Sequence, residues 1–164
     1  MTATAHALIG ASIAVKIVNP IIGIPLAIIS HFIADLIPHW DAGTNHKNKS
    51  ALRLKIEATL DVLLGFALVF LLFRDLADPK YLFAMVIAAQ LPDWLEAPSW
   101  MFQIKIPHFT TWIDFLSHKI QSRMQLPWGL LTQIVVVSVL LYFAIGNLFT
   151  AGSSLLTSLI PTFY

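Results

Sequence analysis

Cysteine is absent from the 164-residue chain, which excludes disulfides and thiolate metal ligands. Any metal must therefore be held by imidazole and carboxylate, a donor set suited to Zn, Mn, Fe or Mg. Charge is scarce as well: Asp, Glu, Lys and Arg make up 12% of the residues, against roughly a quarter in soluble domains. The net charge of +1 recommends no nucleic-acid partner. There is no Gly-rich phosphate loop, no nucleophile elbow and no H-E-x-x-H pair. Met1 to His6 contains no Lys or Arg, so the basic region of a signal peptide is missing and the first apolar segment is expected to belong to the mature protein.

What is abundant is apolar sequence, with 57% hydrophobic residues and a mean hydropathy of +0.77. The runs are separated by polar punctuation. Residues 7–18 end at Asn19-Pro20, and 21–37 end at Pro38. Residues 56–73 are followed by a charged turn, 81–97 end in Leu-Glu-Ala ahead of Pro98, and 128–149 is the longest run. A spanning helix needs about 20 apolar residues, which the runs at 56–73 and 128–149 approach or reach. A single helix from His6 to Ile37 would measure roughly 48 Å, too long for a hydrocarbon core of roughly 30 Å, so two helices meeting at Asn19-Pro20 are expected. In 107–124, Phe109, Trp112, Ile113, Leu116 and Ile120 recur at helical spacing, which predicts an amphipathic helix lying at the interface. The expected fold is therefore all-α: a single integral membrane domain over 1–164 with about five spanning or embedded helices. It comprises one hairpin over about 4–37, a second over about 56–97, the interfacial helix, and a final span over about 128–149. Lys47, Lys49, Arg53, Lys55, Lys105, Lys119 and Arg123 fall on one side, which predicts a cytoplasmic N-terminus in an inner or cytoplasmic membrane.

The two hairpins form a weak internal repeat. His6-x-x-x-Gly10 is matched by Asp61-x-x-x-Gly65, and Pro38-His39-Trp40 by Pro92-Asp93-Trp94. Both hairpins start and finish on one side, so these polar residues should gather at one membrane face.

The candidate chemistry lies there. His31 and Asp35 are one turn apart inside an apolar run, where an ionisable group is costly unless paired or bound to an ion. His39 and Asp41 follow Pro38 at the membrane edge. Asp61 alone in a spanning helix would cost roughly 2.5–3.5 kcal/mol. His6, His31, Asp35, His39, Asp41, Asp61 and Asp93 are the candidate ligands of a divalent cation, zinc first among them. Glu57 and Asp93 are the candidate general bases. Each residue has an ordinary structural alternative: a His31–Asp35 hydrogen bond between helices, an interfacial cap at His39-Trp40-Asp41, a helix cap at Asp93.

The stretch Thr4-Ala5-His6-Ala7-Leu8-Ile9-Gly10, together with Ser30-His31-x-x-x-Asp35 and Pro92-Asp93, resembles the predicted membrane-bound metal-dependent hydrolases, a family broadly similar in pattern to zinc-dependent phospholipase C. The resemblance covers about residues 4–97. It implies a metal site at His6, His31, Asp35 and Asp93 and a hydrolytic activity. The family's H-R-G-x-T-H-S segment has no counterpart here; only His108 and His118 with Lys119 stand in that region. The functional expectation is a membrane-embedded hydrolase acting on a lipid-like or amphiphilic substrate, a phosphoester among the options, with membrane lipid as its surroundings and Arg53 and Lys55 as headgroup contacts. The alternative is a non-enzymatic scaffold or divalent-ion carrier whose His/Asp cluster is structural.

Overall fold

A computed structural model describes residues 1–102, 104 and 119–159; for 99–102 and 147–159 it describes the backbone alone. Five α-helices occur among the described residues: α1 Ala3–Lys16, α2 Pro20–Asp35, α3 Ala51–Phe73, α4 Pro79–Phe102 and α5 Trp128–Leu159. Their starts carry the expected chemistry. The Thr2 hydroxyl caps α1, the Asn19 side chain caps α2 with Pro20 at its first position, and Ser50 caps α3 by accepting from Arg53 N–H. Asp78 accepts from Tyr81 N–H at the start of α4.

α1 is the central element, with α2, α3, α4 and α5 all packed against it. It can be central because it is built of small residues: Ala5, Ala7, Gly10, Ala11, Ser12 and Ala14 are all buried, and small side chains let helix backbones approach closely. A Cβ added at Gly10 would meet Ala89 Cβ and the Met85 carbonyl oxygen at 2.8 Å, and one at Gly65 would meet Ala7 Cβ at 3.1 Å. The core continues into Val69, Phe73, Leu82, Met85 and Val86 of α3 and α4.

Two helices, Ala51–Phe73 and Trp128–Gly146, are long and apolar enough to cross a membrane. α1 and α2 are apolar but shorter. The outward faces are apolar too: Ile29 and Ile33 of α2, Leu60 and Leu64 of α3, and Val135 and Phe143 of α5 are exposed.

Three segments differ from the expectation. α4 runs through Pro92 and Pro98 to Phe102 instead of ending at residue 97. α5 continues past residue 149 to Leu159. The predicted interfacial helix lies largely outside the described residues, but its end does not reach 124. Residues 121–125 are extended, because their backbone pairs with the loop after α2: His39 N–H donates to Ser122 O at 2.9 Å and Met124 N–H to His39 O at 2.6 Å. This pairing closes the loop that carries His39 and Asp41.

Gly10→Ala is expected to destabilise the protein by about 1–3 kcal/mol, the usual effect of overpacking, measured by denaturant or thermal unfolding in detergent. Gly146→Ala, whose added Cβ meets nothing nearer than 3.5 Å, should change stability by less than about 0.5 kcal/mol.

Candidate metal centre

The first turn of α1, the last turn of α2, the loop after it and the later part of α4 converge at one end of the bundle. His6 stacks on His31, with ring centroids 3.9 Å apart. His31 Nδ1 lies 2.8 Å from Ala89 O, and His39 Nδ1 lies 2.8 Å from Ile37 O. A carbonyl only accepts, so Nδ1 carries the proton in both rings. In the neutral imidazole Nε2 then presents a lone pair. Burial holds the His39 imidazole below its ordinary pKa and so favours that neutral form.

Those lone pairs face carboxylates. His31 Nε2 is 3.6 Å from Asp35 Oδ2 and 3.6 Å from Asp93 Oδ1. His39 Nε2 is 3.7 Å from Asp35 Oδ1 and 3.9 Å from Asp41 Oδ2. His6 Nε2 is 3.2 Å from Asp35 Oδ1. Yet both ring nitrogens of His6, and Nε2 of His31 and of His39, are buried without a hydrogen bond; the three residues are 1%, 1% and 0% exposed. Buried polar atoms in native proteins are nearly always partnered. Three orphaned Nε2 atoms facing Asp35, Asp93 and Asp41 fit a nearby cation better than they fit ordinary hydrogen bonds.

The spacing agrees. Ligands about 2.0–2.1 Å from a tetrahedral ion lie roughly 3.3–3.5 Å apart. One donor atom from each of His6, His31 and Asp93 falls within 4.8 Å of the others, so this group could hold a metal ion. Asp35 contacts both histidines of this pair, and its Oδ1 also accepts a hydrogen bond from the Met1 amino group.

The remaining candidates have other partners. Asp61 receives Ala3 N–H at 2.6 Å on Oδ2 and Thr4 N–H at 3.1 Å on Oδ1, so it caps α1 from α3. Asp41 accepts from Arg123 Nε and Gln121 Nε2 at 3.0 Å each, and from Thr44 Oγ1 at 2.8 Å. Glu57 is held by Lys49 and Arg53 at 2.7 Å each, which also occupies Arg53. His108 and His118 lie outside the described residues.

Neutral amides complete the frame. Gln90 Nε2 donates to Ala3 O at 3.1 Å, and Trp94 Nε1 donates to Gln90 Oε1 at 3.0 Å. Gln133 Oε1 accepts from Thr2 N–H at 2.9 Å, while its Nε2 donates to Trp40 O at 2.8 Å. α4 and α5 thus fix the start of α1, and α5 also holds the His39 loop. The only signal for these roles in the sequence is an amide within an apolar run, and that signal does not name a partner.

Beside the cluster lies a cavity of about 840 Å³ between α3 and α4, with Asp61, Asp93, Asp41, Gln121 and Arg123 in its lining. Asp93, whose side chain is 41% exposed, is the member of the His6–His31–Asp93 group that faces this space.

No protein family, curated protein or solved structure matches this chain.

His31→Ala and Asp93→Asn are each expected to lower the affinity for added zinc by more than about tenfold, measured by competition with a chromogenic chelator. That exceeds the lower end of what losing even an outer-shell partner costs. Asp61→Asn should instead retain the affinity and cost about 0.5–2 kcal/mol of stability, as expected for a weakened cap.

Proposed function

We propose that the chain is a membrane-embedded, metal-dependent hydrolase acting on a lipid-like or amphiphilic substrate at the cytoplasmic interface, with phosphoesters within its chemistry. The observation that carries this reading is the set of buried imidazole nitrogens without hydrogen bonds, facing Asp35 and Asp93 beside an open cavity. His6, His31 and Asp93 would hold the ion, with Asp35 and His39 behind them. When bound, a zinc-type cation supplies a positive charge that polarises a substrate oxygen and acidifies a water toward neutral pH.

The chain's own residues do the rest. Ala89 O and Ile37 O fix the tautomers of His31 and His39, so that neither ring must lose a proton to bind. Asp93 borders both the cluster and the cavity and, if left uncoordinated, can take a proton from a water there. Glu57 is occupied by Lys49 and Arg53, which leaves Asp93 as the better-placed base. The exposed apolar faces of α3 and α5 support a lipid environment, where unpartnered Leu, Ile and Phe cost nothing. The resemblance to the membrane-bound metal-dependent hydrolases supports the same reading.

One observation favours a non-enzymatic alternative. The Met1 amino group on Asp35 is itself a cation and could balance that carboxylate in a purely structural cluster. Ion transport has less support, since the far half of the helices offers few polar side chains.

The protein purified without chelator is expected to retain about one divalent ion per chain by elemental analysis, as a closed His/Asp site requires. It should also cleave an amphiphilic phosphoester. Chelation should remove the activity by more than about 100-fold, and added zinc should restore it. A native preparation that holds no metal, takes none up and unfolds at the same temperature with and without chelator would establish the scaffold reading instead.

A further inference from the structure

The cavity beside the cluster is lined unevenly. From α3 come Ala51, Leu54, Ala58 and Val62, spaced three or four residues apart and therefore on one helix face. They meet Trp94 and Ala97 of α4. Polar side chains are interspersed with them: Asp61 on the same stretch of α3, Asp93 and Glu96 on α4, and Asp41, Gln121 and Arg123 from the loops. Leu63 and Trp94 line the cavity and are also 59% and 39% exposed, so the cavity opens sideways onto the outer face of α3. That helix is one of the two able to cross a membrane. Along Leu54, Ala58 and Val62 no side chain offers water a hydrogen bond, so that stretch of the lining suits hydrocarbon. The cavity's volume is that of an ordinary small-molecule site.

We infer that this cavity takes one hydrocarbon chain of a bilayer amphiphile through the gap between α3 and α4, with the oxygen-rich head of that molecule at Asp93 and Arg123. Ala58 and Val62 set the room for the chain, and they are specificity-determining positions. The lining matches an amphiphile: Leu54, Ala58 and Val62 offer no hydrogen bond, whereas Gln121 and Arg123 supply donors. The inference deepens the hydrolase reading by naming its substrate class, and it rests on that reading only for the step from bound molecule to substrate.

The test uses the full chain in a non-ionic detergent, titrated with dibromostearyl phosphate. Bromine quenches tryptophan on contact, and the contribution of Trp94 is taken as the difference between the parent protein and Trp94→Phe. Saturable quenching of Trp94 is expected, weakened at least about tenfold in Ala58→Phe and in Val62→Phe but not in Leu71→Phe, an outward position on the same helix. A second measurement needs no variant: competition by alkyl phosphates should strengthen with chain length from butyl to stearyl. Equal quenching in Ala58→Phe and Leu71→Phe, or affinity independent of chain length, would overturn the inference. Chain binding that persists in metal-free protein, with no ester cleaved, supports the slot and removes the hydrolase reading. Cleavage of short soluble esters with no chain-length dependence does the reverse.

Discussion

Two backbone carbonyls, Ala89 O and Ile37 O, place the protons of His31 and His39 on Nδ1, and the character of the site follows from that. Each Nε2 then meets a carboxylate oxygen lone pair to lone pair in a buried setting, which cannot persist without a positive charge between them. Protonating the rings would provide that charge, but burial opposes it at His39. Protonating the carboxyls would give a donor, but at 3.6–3.9 Å no good hydrogen bond results. A divalent cation held by His6, His31 and Asp93 would answer the His31–Asp93 contact. The Met1 amino group answers part of the demand, since its hydrogen bond goes to Asp35 Oδ1 and the His31–Asp93 contact remains.

The rest of the fold holds that geometry in place. His6 sits on the first turn of α1, so its position depends on where α1 begins, and three side chains from other helices fix that beginning. Asp61 holds the N–H groups of Ala3 and Thr4, Gln90 holds Ala3 O, and Gln133 holds Thr2. The stripe of small residues on α1 brings α3 and α4 close enough for them to reach. Gln133 also reaches Trp40 O, and residues 122–124 pair with His39, so α1 and the His39 loop are positioned by one connected frame. A site built this way is preorganised by its supports as much as by its ligands.

Much of this arrangement is legible in the sequence, and the failures have physical causes. The apolar runs and the Asn19-Pro20 and Pro38 breaks yield five helices in the right order. Interior prolines at 92 and 98 argue for a stop that α4 does not make. Residues 121–125 are extended because the loop after α2 pairs with them, a long-range event that periodicity cannot register. His6, His31, Asp35 and Asp93 stand out because ionisable groups in apolar runs are costly. Asp61 stands out for the same reason, yet it serves as a helix cap: a cap and a metal ligand both require an acceptor in a dry place, and only the partner some 58 residues away tells them apart. Gln90 and Gln133 carry no charge, so nothing in the pattern singles them out.

The depth of the site bears on what it can act upon. α3 begins with a charged band in which Arg53 and Lys49 grip Glu57, and from residue 58 onward Asp61 is its one charged side chain. Asp61 lies eleven residues beyond the Ser50 cap, or about 16 Å along the helix. On the membrane reading the charged band marks the headgroup level, and the His/Asp cluster lies just beneath it. The cavity straddles that boundary, from Ala51 at the band to Leu63 below it. A soluble substrate would have to pass the charged band and enter an apolar slot. A molecule already resident in the bilayer needs only to move sideways between α3 and α4, and its polar head would arrive at the level where Asp93 and Arg123 stand. On that reading, the same depth would favour a substrate that brings its own hydrocarbon.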